Sequence, residues 1–471
     1  MLRYRSRRAA ADAGPAPRPA AVGWRRHHDL VSNAGSLVAT TGVTSAMGFV
    51  YWAFAARMLS QQAVGYGSAS VAAMTMLGTI GMFGLGTVLI GELPRRRRRA
   101  SLVSAALLAA AAGSLLLGLG FAVVAPHADG RFTGIVGTAG QAALFTAGVA
   151  VTGMSLVFDQ ATIGLMRGGL QLTRNTAFAL AKLVTLPVAA YLLHDGLGAS
   201  VTLSWVAGMI ISLIPVAIRL KLARQPVLPR PDWGVLRGLH RTAMAHNWLN
   251  LAIAVPLSLI PVLVTVVVSP KANAAFYAAW MLASFLYVIP VHLSTVLFAV
   301  AAGDPKALAA KLRFALRLSL LIGLPGMAAL GAGAHLALSL FGAGYARAAT
   351  VPLWLLVLGY LPSLPKVYYV AVCRAAGKIS RAAFVLTAFA VVEIAAAAVG
   401  GAMGGLIGLA AGLLIVSTLE GLATTPAVLK VARRPRRARR QAAANSTAST
   451  SIPAPSAEAT VLAETTVAVA A

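Results

Sequence analysis

Asp159 and Lys182 are the residues at which chemistry would first be sought. Both lie within DQATIGLMRGGLQLTRNTAFALAK, each inside an apolar stretch, with a short basic turn between them. Asp159 precedes Arg167 by eight residues and Lys182 follows Arg174 by eight. At a rise of about 1.5 Å per residue, helices on either side would hold both charges roughly 12 Å from that turn. An acid and a base at matching depth in hydrocarbon either pair with each other or line a substrate or ion path, because an isolated charge there is costly. A related hairpin follows, with Lys366 standing 207 residues after Asp159; Lys366 precedes Arg374 by eight residues and Glu393 follows Arg381 by twelve. Those depths are less well matched, roughly 12 against 18 Å. A base occupies the position equivalent to Asp159, which argues against one binding chemistry shared by both hairpins. The first hairpin therefore reads mainly as a structural ion pair, Asp159 with Lys182. The second, Lys366 with Glu393, reads as groups that change partner between states.

Other polar groups recur at helical spacing. Asn33, Ser36, Thr40, Thr44 and Tyr51 form one stripe, and Tyr277, Trp280, Ser284 and Tyr287 form another. Thr152, Ser155 and Thr162 put Asp159 on a polar face. Such stripes serve either as walls of a substrate cleft or as close-packing faces of small polar residues. Arg57 lies near one end of its segment, and His292 is the only histidine deep within one. A buried histidine is neutral by default, yet it can titrate or contact an anionic substrate group.

The elements that must position these groups follow from composition. Of 471 residues, 58% are hydrophobic and 11% charged, with a mean hydropathy of +0.79. Soluble domains carry about 25% charged residues, so the chain is an all-α polytopic membrane protein. Twelve apolar segments are expected, at about 31–57, 68–92, 101–125, 138–166, 174–193, 199–220, 246–268, 272–302, 312–334, 351–373, 381–400 and 404–429. The net charge of +28 reflects positive-inside topology rather than nucleic-acid binding. If both termini and the even-numbered connections share one side, 34 of the 40 basic residues fall there, so that side is cytoplasmic. The first apolar run is too long for a cleavable signal and reads as a signal anchor. The expected organisation is a cytoplasmic, basic, disordered arm (1–30), an N-lobe (31–220), a cytoplasmic linker (221–245), a C-lobe (246–430) and a basic, then disordered cytoplasmic tail (431–471). No metal site or cofactor is expected: Cys373 is the single cysteine, and neither a Walker A loop nor an HExxH motif occurs.

The two sets of six segments repeat each other. Ser60-Gln-Gln-Ala-Val-Gly-Tyr66 joins segments one and two, as the stretch from Ser269 to Tyr277 joins seven and eight. Because six is even, the repeats are parallel, related by a pseudo-two-fold axis along the membrane normal. LSQQAVGYGSAS, FDQATIGLMRGGLQLTRN and LFGAGYARAATVPLWLLVLGYLPSLPKVYYVAVCRAAGK, in this order and spacing over residues 30–430, resemble Wzx-type polysaccharide flippases of the multidrug/oligosaccharidyl-lipid/polysaccharide (MOP) exporter superfamily. The resemblance implies a transporter, not an enzyme, located in the bacterial plasma membrane. It implies movement of an undecaprenyl-diphosphate-linked glycan to the outer leaflet by alternating access, with glycosyltransferases or a polymerase of the same pathway as partners. It also implies that segments one, two, seven and eight face the cleft. A MATE-like exporter of cationic drugs, with Asp159 and Glu393 as coupling acids, keeps the same architecture. A membrane polymerase or glycosyltransferase is disfavoured by the short external connections.

Overall fold

The computed structural model describes residues 44–433, apart from 96–98, 194–197, 227–228 and 304–307. The described residues form helices joined by short turns, with no strand among them. In lipid this is one of two ways to satisfy every backbone polar group internally. Helix α1 spans 44–58, followed by α2 (Gln61–Gly81), α3 (Leu85–Glu92), α4 (Arg99–Ala128), the short α5 (Thr133–Val136), α6 (Ala139–Gly164), α7 (Gly168–Leu193), α8 (Ala199–Ile211) and α9 (Leu213–Leu222). The second half comprises α10 (Trp233–Gly238), α11 (His240–Val267), α12 (Pro270–Gly303), α13 (Leu308–Ala332), α14 (Ala334–Ser339), α15 (Ala343–Leu358), α16 (Tyr360–Ala375) and α17 (Ile379–Ala432).

Nine of the described helical stretches are long and apolar enough to cross a membrane; α15 and α16, bent by 47° at Gly359, make a tenth. Helix α17 is two spans. Gly404 and Gly405 interrupt it with non-helical backbone, and Gly405 takes φ +56°, which a side chain would strain. Beyond the turn the chain folds back so tightly that a Cβ on Gly400 would lie 2.2 Å from the carbonyl oxygen of Gly408. Helix α1 is the described part of a further segment. The bundle is thus the two-lobed, all-helical membrane protein expected, with shifted boundaries. Helix α2 starts at Gln61 rather than 68 and breaks at Phe83–Gly84, both with positive φ. Helix α7 starts at Gly168 rather than 174, and α15 at Ala343 rather than 351.

The repeated turns have the same local design. Ser60 accepts from Ala63 N–H at 3.2 Å and Ser269 from Ala272 N–H at 3.0 Å, so each serine caps the helix it precedes. Pro270 occupies the first helical position, where its missing N–H costs nothing. The two turns then meet. A Cβ on Gly65 would fall 1.7 Å from the Pro270 carbonyl oxygen, so only glycine allows this approach. Asn273 Nδ2 donates across the contact to the Gly65 carbonyl at 2.9 Å and to Ser68 Oγ at 3.0 Å. Helix α2, packed against α11 and α12, is almost wholly buried. Replacing Gly65 by valine is expected to part α2 from α12 without unfolding either half. A cysteine at position 273 should then be alkylated at least tenfold faster than in the Gly65 parent; an equal rate in a normally folded variant would contradict the contact's role.

Candidate functional site

Three side-chain clusters occupy the membrane interior, and the first corrects an expectation. Asp159 pairs with Arg174, not Lys182. Arg174 donates through Nη2 to Oδ2 at 2.7 Å and through Nε to Oδ1 at 3.1 Å, a bidentate fork, while Nη2 also reaches Asn175 Oδ1 at 2.6 Å. The physical reason lies in where α7 begins. With its first residue at Gly168, Arg174 is already six residues inside the helix, at the depth of Asp159, which lies five residues before the end of α6. Lys182 is two turns deeper, roughly 12 Å away along α7 and about 80° round it.

Lys182 instead sits among rings. Its Nζ lies 4.1 Å from the centroid of Trp205, 4.7 Å from Phe178 and 4.8 Å from Tyr51. Phe178 stands one turn earlier on α7, Trp205 comes from α8 and Tyr51 from α1, so three elements build the cage. Tyr51 is fixed by a 2.6 Å hydrogen bond with Ser204 Oγ. Lys182 is 4% exposed and meets no carboxylate among the described residues. Cation–π contacts stabilise it by about 0.5–2 kcal/mol together, less than the roughly 3 kcal/mol that a charge costs at the bilayer centre. The cage reaches the other half of the molecule: Tyr51 contacts Trp52, whose ring lies 4.7 Å from Tyr277 of α12.

The third cluster lies in the second half. Lys366 Nζ lies 2.8 Å from Glu420 Oε2 and 3.9 Å from Glu393 Oε2. The Lys366–Glu393 partnership expected from spacing is present, but the tighter partner is Glu420, which sequence reasoning passed over. It was visible as the one acid in an otherwise apolar segment, a signal worth weighing on its own. Lys366 and Glu393 line a cavity of about 370 Å³ among α11, α12, α15, α16 and the two arms of α17, with Ser284, Tyr287 and Ser363 on its wall. The 47° bend at Gly359, before Pro362 and Pro365, turns this stretch of α16 towards the space.

The remaining candidates are scattered. Asn33, Ser36 and Thr40 lie outside the described residues, and Thr44 opens the described part of α1. Arg57, exposed, donates to the carbonyls of Ser339 at 2.9 Å and Leu340 at 3.0 Å, satisfying the end of α14 and tethering α1 to the second half. Ser284 Oγ donates to the Met281 carbonyl at 2.6 Å, and Tyr287 stacks edge-on with Tyr360. His292 is exposed on α12, its Nδ1 2.7 Å from the Val288 carbonyl, rather than in the cavity. No group of three His, Cys, Asp or Glu with metal-holding geometry occurs among the described residues.

Two helical halves meet along α2, α11 and α12, each with charges buried inside, an architecture shared with solved transporters of the MOP superfamily. The chain is similar to an inward-facing multidrug resistance MATE family transporter (TM-score 0.63, 14% identity, covering 83% of this chain and 96% of that one). It is similar to a MOP superfamily transporter from Pyrococcus furiosus, for which a reversed polarity of the binding pocket is described (0.59, 13%, 86% and 95%). It also resembles the lipid II flippase MurJ in an inward closed conformation (0.59, 14%, 84% and 89%). No curated protein sequence gives a significant match. Residues 30–301 match the family described as "Polysaccharide biosynthesis protein", and the chain belongs to that family.

Proposed function

We propose that this multi-pass membrane protein is a flippase that moves a lipid-linked oligosaccharide from the inner to the outer leaflet of the bacterial plasma membrane. The observation that carries the reading is the distribution of charge within the helices. Asp159 is held by Arg174, and Glu393 and Glu420 share Lys366, whereas Lys182 has aromatic faces and no acid among the described residues. Lys182 is thus a buried cation without a carboxylate partner among the described residues, surrounded by the flat rings on which sugars stack. That chemistry suits an anionic, sugar-bearing headgroup such as a glycan diphosphate. The family's link to polysaccharide biosynthesis points the same way.

In this reading, residues 31–220 and 246–430 are the two lobes, and both termini are cytoplasmic, as the basic connections require. The Gly65–Pro270 contact then lies at the outer face and is the seal that opens when the lobes rock. Lys182 receives the diphosphate as Trp52 and Tyr277 part, and the lipid tail stays in the bilayer. The chain carries out no bond-making step. Deleting the gene in a strain with no redundant exporter is expected to leave lipid-linked glycan on the inner leaflet and to deplete surface polysaccharide. Normal surface polysaccharide in that strain would refute the reading. A cation exporter is the second reading, favoured by the two acids on Lys366; it predicts altered drug susceptibility on overexpression.

A further inference from the structure

The cavity in the second half presents a donor and an acceptor side by side on otherwise apolar walls. Ile253, Leu257 and Leu414 are among its lining, yet Lys366 and Glu393 both open onto it, with side chains 31% and 16% exposed. Lys366 Nζ makes its short contact, 2.8 Å, with Glu420 and lies 3.9 Å from Glu393 Oε2, beyond hydrogen-bond length. Glu393 accepts no hydrogen bond among the described residues. Ser284, Ser417 and Trp280 also line the space. The Trp280 ring is stacked on Phe276, with centroids 5.6 Å apart and planes inclined by 30°.

The pair of charges selects the class of ligand. An alkyl chain would strip water from both groups and return no hydrogen bond. A cation on Glu393 would stand against the Lys366 ammonium, and an anion on Lys366 would stand against two carboxylates. A hydroxyl meets both needs, because it donates and accepts at once. One hydroxyl oxygen, at ordinary bond lengths of about 2.8 Å, fits between groups 3.9 Å apart, accepting from Nζ and donating to Oε2. Neighbouring hydroxyls on one ring would reach Ser284 and Ser417, and the ring's apolar face suits the indole of Trp280.

We propose that this cavity is a binding site for one sugar unit of the cargo, recognised through its hydroxyls by Glu393 and Lys366 and through its apolar face by Trp280. The assignment of the sugar to a lipid-linked glycan rests on the flippase reading. At about 370 Å³ the cavity lies at the small end of ligand sites, roughly 300–1,000 Å³, which suits a single unit rather than a chain of them. Its position fits the Lys182 cage. Tyr277, which touches Trp52 of that cage, begins the stripe of α12 that continues through Trp280 to Ser284, about 10 Å further along the helix. Diphosphate and sugar would thus be held at two points joined by one helix.

A cysteine reporter in the purified full-length protein, Ser284→Cys with Cys373→Ser, reads occupancy of the cavity through its alkylation rate. Saturating undecaprenyl-diphosphate oligosaccharide should slow alkylation at least about fivefold, whereas undecaprenyl diphosphate without sugar and tetrapropylammonium should each leave it within about twofold. Glu393→Gln should raise the glycan lipid concentration needed for protection about tenfold, the effect of losing a hydrogen bond to a charged group. Trp280→Leu, which keeps the wall apolar, should also weaken protection. Circular dichroism identifies variants that retain the helical fold. No protection by the glycan lipid, equal protection by the sugar-free lipid, protection by tetrapropylammonium, or undiminished protection in both folded variants would overturn the site. Leaflet exchange measured on the same preparation separates the two claims. Exchange without protection refutes this site and leaves the flippase reading standing; protection without exchange does the reverse.

Discussion

Lys182→Met is expected to leave the protein as stable as before, or more stable, and to reduce transport at least tenfold. Methionine keeps the length and apolar stem of lysine and remains in van der Waals contact with Tyr51, Phe178 and Trp205. It removes a cation whose burial costs about 3 kcal/mol while ring contacts return at most about 2. Stability should therefore rise by roughly 1 kcal/mol, read as a higher midpoint in detergent. A residue held only for structure would lower that midpoint when lost. Lys182→Arg, which keeps the charge, should retain more transport than the methionine variant. Transport at the parental rate in Lys182→Met would remove the residue from the pathway.

The opposite signature is expected at Arg174. Arg174→Gln leaves Asp159 without its bidentate partner in a setting where only 22% of the acid's side chain is exposed. Breaking a buried pair from one side typically costs about 3–5 kcal/mol, because the remaining charge is uncompensated. A marked fall in folded yield and thermal midpoint should follow, with transport per folded molecule little changed. Exchanging the pair, Asp159→Arg with Arg174→Asp, should recover most of the lost stability. A parental midpoint in the single variant would contradict a structural role for this pair.

These contrasts bear on what the sequence makes legible. Apolar runs, their basic connections and the glycine turn at 404–405 are local signals, and they led to the all-helical, two-lobed bundle and to the reversal within α17. The Lys366–Glu393 neighbourhood was legible for the same reason, as eight- and twelve-residue offsets from one turn. The partner of Asp159 was not. Arg174 stands at the start of its apolar run and reads as part of the basic turn, yet α7 begins six residues earlier and carries it inward. The Phe178–Lys182 pairing has an ordinary one-turn spacing, but Trp205 joins it from the next helix and Tyr51 from α1, 131 residues before Lys182, through packing that no periodicity encodes. The Gly65–Pro270 contact is similar: each turn could be read alone, but their meeting depends on how the halves dock.

The central claim is that this chain carries a glycan-bearing lipid diphosphate across the bilayer. It is tested most directly in sealed proteoliposomes holding the full-length protein and a fluorescent undecaprenyl-diphosphate oligosaccharide placed in one leaflet. Accessibility to a membrane-impermeant glycosidase reports the leaflet occupied. The account predicts protein-dependent exchange between leaflets in the parent and at least tenfold slower exchange in Lys182→Met. Retention of the lipid in its original leaflet, with a folded parent protein of either orientation present, would contradict it.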